Sequence, residues 1–144
     1  MKDTASVKVE KIIHNGQILA VVIYNQEINV PIEFYTPDES TLQVGRHKRE
    51  AGQIIKAHQH VAVKVDRHEP LQEVLYIEQG KMKVSFYDDD GKAIQAKVLT
   101  QGDMILLICG GHGFQFLEDT KMIEIKQGPY NPNSRKAVHV KDKP

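Results

Sequence analysis

The sequence predicts an all-β fold of short antiparallel strands packed as a sandwich or barrel. Three observations predict it. About ten short apolar or alternating runs recur along the chain. Turn signals separate them at roughly 6–12 residue spacing. No stretch carries a convincing helical period.

The elements follow in order. Residues 7–14 read as a strand that meets Asn15-Gly16, the dipeptide most suited to a two-residue hairpin turn, and residues 18–24 return. A polar turn at 25–27 leads to residues 28–35, where Pro31 restricts the run to an edge strand or a bulge. Residues 36–41 form a loop. A further extended piece starts at 42–45 and leads to Gly52. Residues 54–63 read as a strand carrying two histidines. After a polar, proline-ended loop, residues 73–78 form the next strand. Met82, Val84 and Phe86 alternate with Lys83, Ser85 and Tyr87. Asp88-Asp89-Asp90-Gly91 turns the chain, and residues 94–99 bring it back. Gln101-Gly102-Asp103 is another turn before the apolar run 104–109. Gly110-Gly111 breaks that run, and Phe114 and Phe116 share a face of the strand that follows. Residues 122–126 form the last strand. The polar tail, residues 130–144, is expected to lie over the surface. With no boundary, repeat or low-complexity tract, the 144 residues suit one domain with N-terminal strands at 7–35 and a core at about 45–128.

Composition narrows the function classes. Lys and Arg number 19, as do Asp and Glu, so the formal net charge is zero. Nucleic-acid-binding domains usually carry a basic excess, so that partner class is not expected. The longest apolar run is far too short to cross a bilayer, and the N-terminus lacks an apolar signal region. A single cysteine suits a reducing compartment. A cytoplasmic protein without a membrane partner is expected.

The chemistry concentrates on His58-Gln59-His60. In a strand, side chains at i and i+2 share a face about 6–7 Å apart, within reach of one metal ion. Two other residues can complete a ligand set. Glu73 opens a strand on the face of Leu75 and Ile77, and His112 follows the Gly110-Gly111 break on the face of Phe114 and Phe116. Three imidazoles and a carboxylate suit divalent Fe, Mn, Ni, Zn or Cu. An octahedral ion would keep open positions for water, dioxygen or a chelating substrate. His14, His47, His68 and His139 read as ordinary surface or core histidines.

Gly52-x5-His58-x-His60, then Glu73-x6-Gly80, resembles the first motif of the cupin family. Gly102 with the glycine-rich turn and His112 resembles the second. The resemblance covers about residues 45–128. It implies a double-sheet antiparallel jelly-roll β-barrel whose metal is held by His58, His60, Glu73 and His112. It also implies a homodimer formed through an edge strand, for which the segment around Pro31 and the N-terminal hairpin are the candidates. The chain departs from the pattern in a longer loop, residues 61–72. It departs again in the second motif, where Ile108 and Phe116 stand at positions commonly proline and asparagine and Gly110 lies one residue closer to the histidine.

A rival set joins Cys109 and His112 with His58 and His60 as a closed tetrahedral zinc site, against Cys109 as a small buried strand-end residue. Lys56 shares the face of His58 and His60, so it either binds a ligand anion or reaches solvent where the strand twists. Phe114 and Phe116 would line a pocket while serving the core. On the last strand the apolar alternation, Ile123 and Ile125, is expected to face inward and Glu124 and Lys126 outward. Arg67 and Gln72 lie on the loop that could act as a lid. These readings imply a metal-binding protein for a carboxylate, keto or sugar-like ligand. It is either an oxygenase or isomerase, a non-catalytic binding module, or a relative without its metal.

Overall fold

The computed structural model describes residues 8–62, 64, 70–128, 132–134 and 136–141. Among the described residues ten strands form, each antiparallel to its neighbours. The described residues form two compact units, one of Met1–Asn25 with Pro70–Pro144 and one of Gln26–Glu69.

The larger unit is a two-sheet stack. β1 (Val9–His14) and β2 (Gln17–Ile23) form the expected hairpin. Asn15 and Gly16 both have positive φ, 49° and 77°, as a type I′ turn demands. The later strands are β5 (Glu73–Gln79), β6 (Lys81–Tyr87), β7 (Ala93–Thr100), β8 (Met104–Leu107), β9 (Gly111–Phe116) and β10 (Lys121–Lys126). They build one sheet in the order β1-β2-β8-β5-β10 and another in the order β7-β6-β9. From β5 onward every link except the β6–β7 hairpin changes sheet. Ile12, Ala20, Val22, Leu75, Ile77, Ile105 and Leu107 of the first sheet form one buried cluster with Met82, Val84, Phe86 and Leu99 of the second. The sheets therefore pack face to face, and among the described residues they do not close into a barrel.

Two turns position this stack. Asp103 accepts hydrogen bonds from the backbone N–H groups of Asn25 and Thr100, both at 2.8 Å, so the buried carboxylate ties the end of β2 to the β7–β8 turn. At Gly80, φ is +93° and a Cβ would collide with the Asp119 carbonyl oxygen, so glycine is required between β5 and β6.

The smaller unit holds β3 (Ile32–Phe34) and β4 (Gly45–His47), paired with each other. The strand expected over 28–35 is only three residues long, because Pro31 lacks the N–H that would extend the ladder. The piece expected from residue 42 enters its ladder only at Gly45.

The larger departure is the histidine segment. No strand forms over residues 53–62, all of them exposed, and Val63 lies outside the described residues. The physical reason is its pattern. One alternation reads Ile54, Lys56, His58, His60 and the other Ile55, Ala57, Gln59, Val61, so neither face offers a continuous apolar surface to bury.

The last strand corrects a second expectation. Met122 packs against the core cluster, while Ile123 and Ile125 are 44% and 58% exposed. The inward alternation is thus Met122, Glu124 and Lys126. Register explains it: Met122 pairs with Ile77 and Glu124 with Leu75, the two fully buried residues of β5. At the C-terminal end, Pro132–Ser134 make one 3-10 turn and residues 136–141 are exposed. Lys141 N–H donates to the Gly91 carbonyl at 3.0 Å.

Candidate metal centre

His58 and His60 lie in the smaller unit, exposed, with ring centroids 5.1 Å apart in an edge-to-face arrangement. His58 Nδ1 is 2.9 Å from the Lys56 carbonyl oxygen. A carbonyl can only accept, so this bond requires the proton on Nδ1. In the neutral ring that leaves the Nε2 lone pair for a metal. The same contact assigns Lys56 a part: its backbone orients His58, while its side chain is exposed to solvent.

Glu73 and His112 lie in the larger unit. Glu73 is half-buried at the start of β5, on the inner face with Leu75 and Ile77. His112 is half-buried near the start of β9, opposite the core residue Phe86. Both therefore belong to the inner faces of the stacked sheets. They also belong to the same end of the stack. Glu73 pairs with Leu107, the last residue of β8, and only residues 108–110 separate Leu107 from β9. Facing sheets lie about 10 Å apart, a gap that two inward side chains can span onto one ion.

The His112 ring packs 5.4 Å from the Phe114 ring. Phe114 packs against the core as expected, but Phe116 on the same face is 55% exposed. On the opposite sheet Lys126 pairs in register with Glu73, and its ammonium lies 2.9 Å from the Glu124 carboxylate. The inner wall beside Glu73 is consequently charged. Glu124 and Lys126 thus face opposite to the expectation from their polarity, and the signal for it in the sequence is Met122, whose i+2 and i+4 neighbours they are.

Cys109 packs against the core, and its thiol donates to the Ile18 carbonyl at 3.4 Å. That environment is the one expected of a small strand-end residue. Gln72 is not on an open lid: it is buried, and its Oε1 has no hydrogen-bond partner among the described residues. Arg67 and His68 lie outside the described residues. Beside the histidine segment, Arg49, Gln53, Ile54 and Ile55 line a shallow, solvent-open hollow.

The candidate ligands therefore fall into two groups, the imidazole pair His58 and His60 in one unit and the pair Glu73 and His112 in the other. Among the described residues no group of three or more His, Cys, Asp or Glu side chains is gathered to hold an ion. Nor is any helix among them long and apolar enough to cross a membrane. The chain matches no protein-family model, no curated protein and no solved structure significantly.

Proposed function

We propose that this chain is a metal-binding protein of the cupin jelly-roll type, in which His58, His60, Glu73 and His112 bind one divalent transition metal, Fe, Mn, Ni or Zn. The observation that carries the reading is the contact of His58 Nδ1 with the Lys56 carbonyl oxygen, beside the His60 ring. A ring whose Nδ1–H is engaged by a backbone carbonyl, beside a second imidazole, is the arrangement that metal-ligating histidines adopt. Two further features support it. Glu73 and His112 share the inner faces at one end of the stack. The chain also passes between two sheets in which β5 lies between β8 and β10 and β6 between β7 and β9, a winding compatible with a jelly roll. The reading requires residues 53–62 to bring their imidazoles to that end.

When bound, the ion would act as a Lewis acid with positions open to a small chelating ligand. The chain's own contribution is to fix the donors. The Lys56 carbonyl orients His58, Phe114 backs His112, and the β5 ladder holds Glu73. Lys126 and Glu124 give the ligand side polar partners, whereas Phe116 lies opposite Met82, at the far end of β9 from His112, and takes no part in it. A carboxylate, keto or sugar-like small molecule suits such a wall.

Equilibrium dialysis with elemental analysis tests this. The chelator-stripped chain takes up one equivalent of metal. His58→Ala, His60→Ala, Glu73→Ala and His112→Ala each weaken uptake by at least about 100-fold, beyond the 10- to 100-fold typical of outer-shell changes. A second reading, a non-catalytic ligand-binding module or a relative without metal, is favoured by the lack of a three-donor cluster among the described residues. Wild-type chain that takes up no metal decides for it.

A further inference from the structure

Met82, Val84 and Phe86 of β6 look into the core, so Tyr87 looks outward, as does Gly111, its ladder partner on β9. Tyr87 is nevertheless only 9% exposed. Val138 is seated at this outer corner. Its Cγ2 lies 2.9 Å from the place a Cβ would take at Gly111, and Tyr87 Cβ bounds the same space at 3.1 Å. A second glycine anchors the same segment. Gly91, in the β6–β7 turn, has φ +79°, and a Cβ there would collide with the His139 carbonyl oxygen. The Gly91 carbonyl in turn accepts a hydrogen bond from the Lys141 N–H at 3.0 Å. Residues 136–141 thus cross the outer face of the three-stranded sheet over two glycines. The hold is slight: Val138 and Val140 are 37% and 50% exposed, and among the described residues the segment joins no ladder. Segments with so few buried contacts open at low free energy.

We infer that residues 136–141 form a displaceable strap that positions His112, fastened by Val138 and by the Lys141 N–H. His112 directly follows Gly111, and it faces the inner side opposite Phe86. Clamping Gly111 from outside, between Val138 and Tyr87, fixes the backbone that projects the imidazole inward. Gly111 pairs with Tyr87, the last residue of β6, so the ladder alone holds this end of β9 weakly. With the strap open, the first residues of β9 fray and the His112 ring loses its fixed orientation. Val138 is therefore a positioning residue. Its effect on metal affinity rests on the proposed metal site, and its effect on β9 does not. Coupling of this kind is reciprocal, so metal bound through His112 also holds the strap down.

Substitutions in the full chain test the strap. Gly111 is not at positive φ, so Gly111→Ala brings a methyl into Val138's seat without backbone strain. Gly111→Ala should make amides of residues 111–113 exchange at least about tenfold faster, while the global unfolding midpoint holds. The His112 ring nitrogen signals should move, those of His47 should not, and Zn²⁺ affinity should fall about 10- to 100-fold. Adding Val138→Ala clears the seat and should restore all three readouts. A general loss of packing would instead be deepened by the second truncation. Should Gly111→Ala fail to fold, Lys141→Pro, which removes the donor to Gly91, carries the same expectation. Unchanged exchange and ring signals, or a double variant that restores nothing, overturns the inference. So does a variant whose β9 loosens while its Zn²⁺ affinity equals that of wild type. A wild type that takes up no Zn²⁺ sinks the metal site alone, and exchange and the His112 signals then decide the strap.

Discussion

At Tyr24, burial and then the hydrogen bond donated to Glu10, 2.9 Å long, push the phenol up to about 12. Because this is a raised value, the stabilisation is complete below the ordinary phenol value of 10.0 and is lost as pH rises through about 12. Urea unfolding across alkaline pH should show that loss in wild type and a flatter curve in Tyr24→Phe. Glu10 shifts the other way. The hydrogen bond from Lys97, at 2.6 Å, holds its carboxyl below the usual value against the opposing effect of burial. Its stabilisation is present above the ordinary carboxyl range and lost as pH falls through the lower native value, and Lys97→Met should remove that acid-side share. Gln72 offers a test without titration. Its buried Oε1 lacks a partner among the described residues, and an unpaired buried acceptor costs about 1–3 kcal/mol. Gln72→Leu keeps the backbone N–H that donates to Gln127 Oε1 and should raise unfolding stability by about 1 kcal/mol in chemical denaturation.

At the scale of the element, what was legible in the sequence is what local chemistry dictates. Asn15-Gly16 forces its hairpin whatever lies around it, and Met82, Val84 and Phe86 all reach the core their alternation predicts. β10 was misread because Ile123 and Ile125 are more apolar than Glu124 and Lys126, yet only register against Leu75 and Ile77 sets which face looks in. The histidine segment was misread because alternation alone makes no strand: a ladder also needs a partner and a face worth burying. His58 and His60 were legible as a pair, but the contact of His58 Nδ1 with the Lys56 carbonyl depends on a local backbone conformation that no spacing encodes. Gly80 tests an element boundary. Gly80→Ala must place a Cβ against the Asp119 carbonyl at φ +93°. It should cost roughly 1–3 kcal/mol, the scale of local backbone strain, as read by thermal unfolding.

At the scale of the whole molecule, stability and the candidate chemistry are unevenly shared. The buried cluster lies wholly in the unit of Met1–Asn25 with Pro70–Pro144, whereas the imidazole pair lies in the unit of Gln26–Glu69. Hydrogen exchange should follow the cluster: amides of β5 and β8 exchange slowly, and those of residues 53–62 exchange fast because no ladder holds them. If the four ligands share one ion, metal must slow exchange in residues 53–62, since binding one ion would couple that segment to Glu73 and His112.

The most direct measurement is imidazole nitrogen NMR of the ¹⁵N-histidine-labelled chain during titration with Zn²⁺. The chain has seven histidines, so each serves as a ligand probe or a control. His58, His60 and His112 should shift together and saturate at one equivalent, while His14, His47, His68 and His139 should not. Glu73→Ala should weaken all three responses at once. Movement of His58 and His60 without His112, or no shift in any of the three, would contradict it.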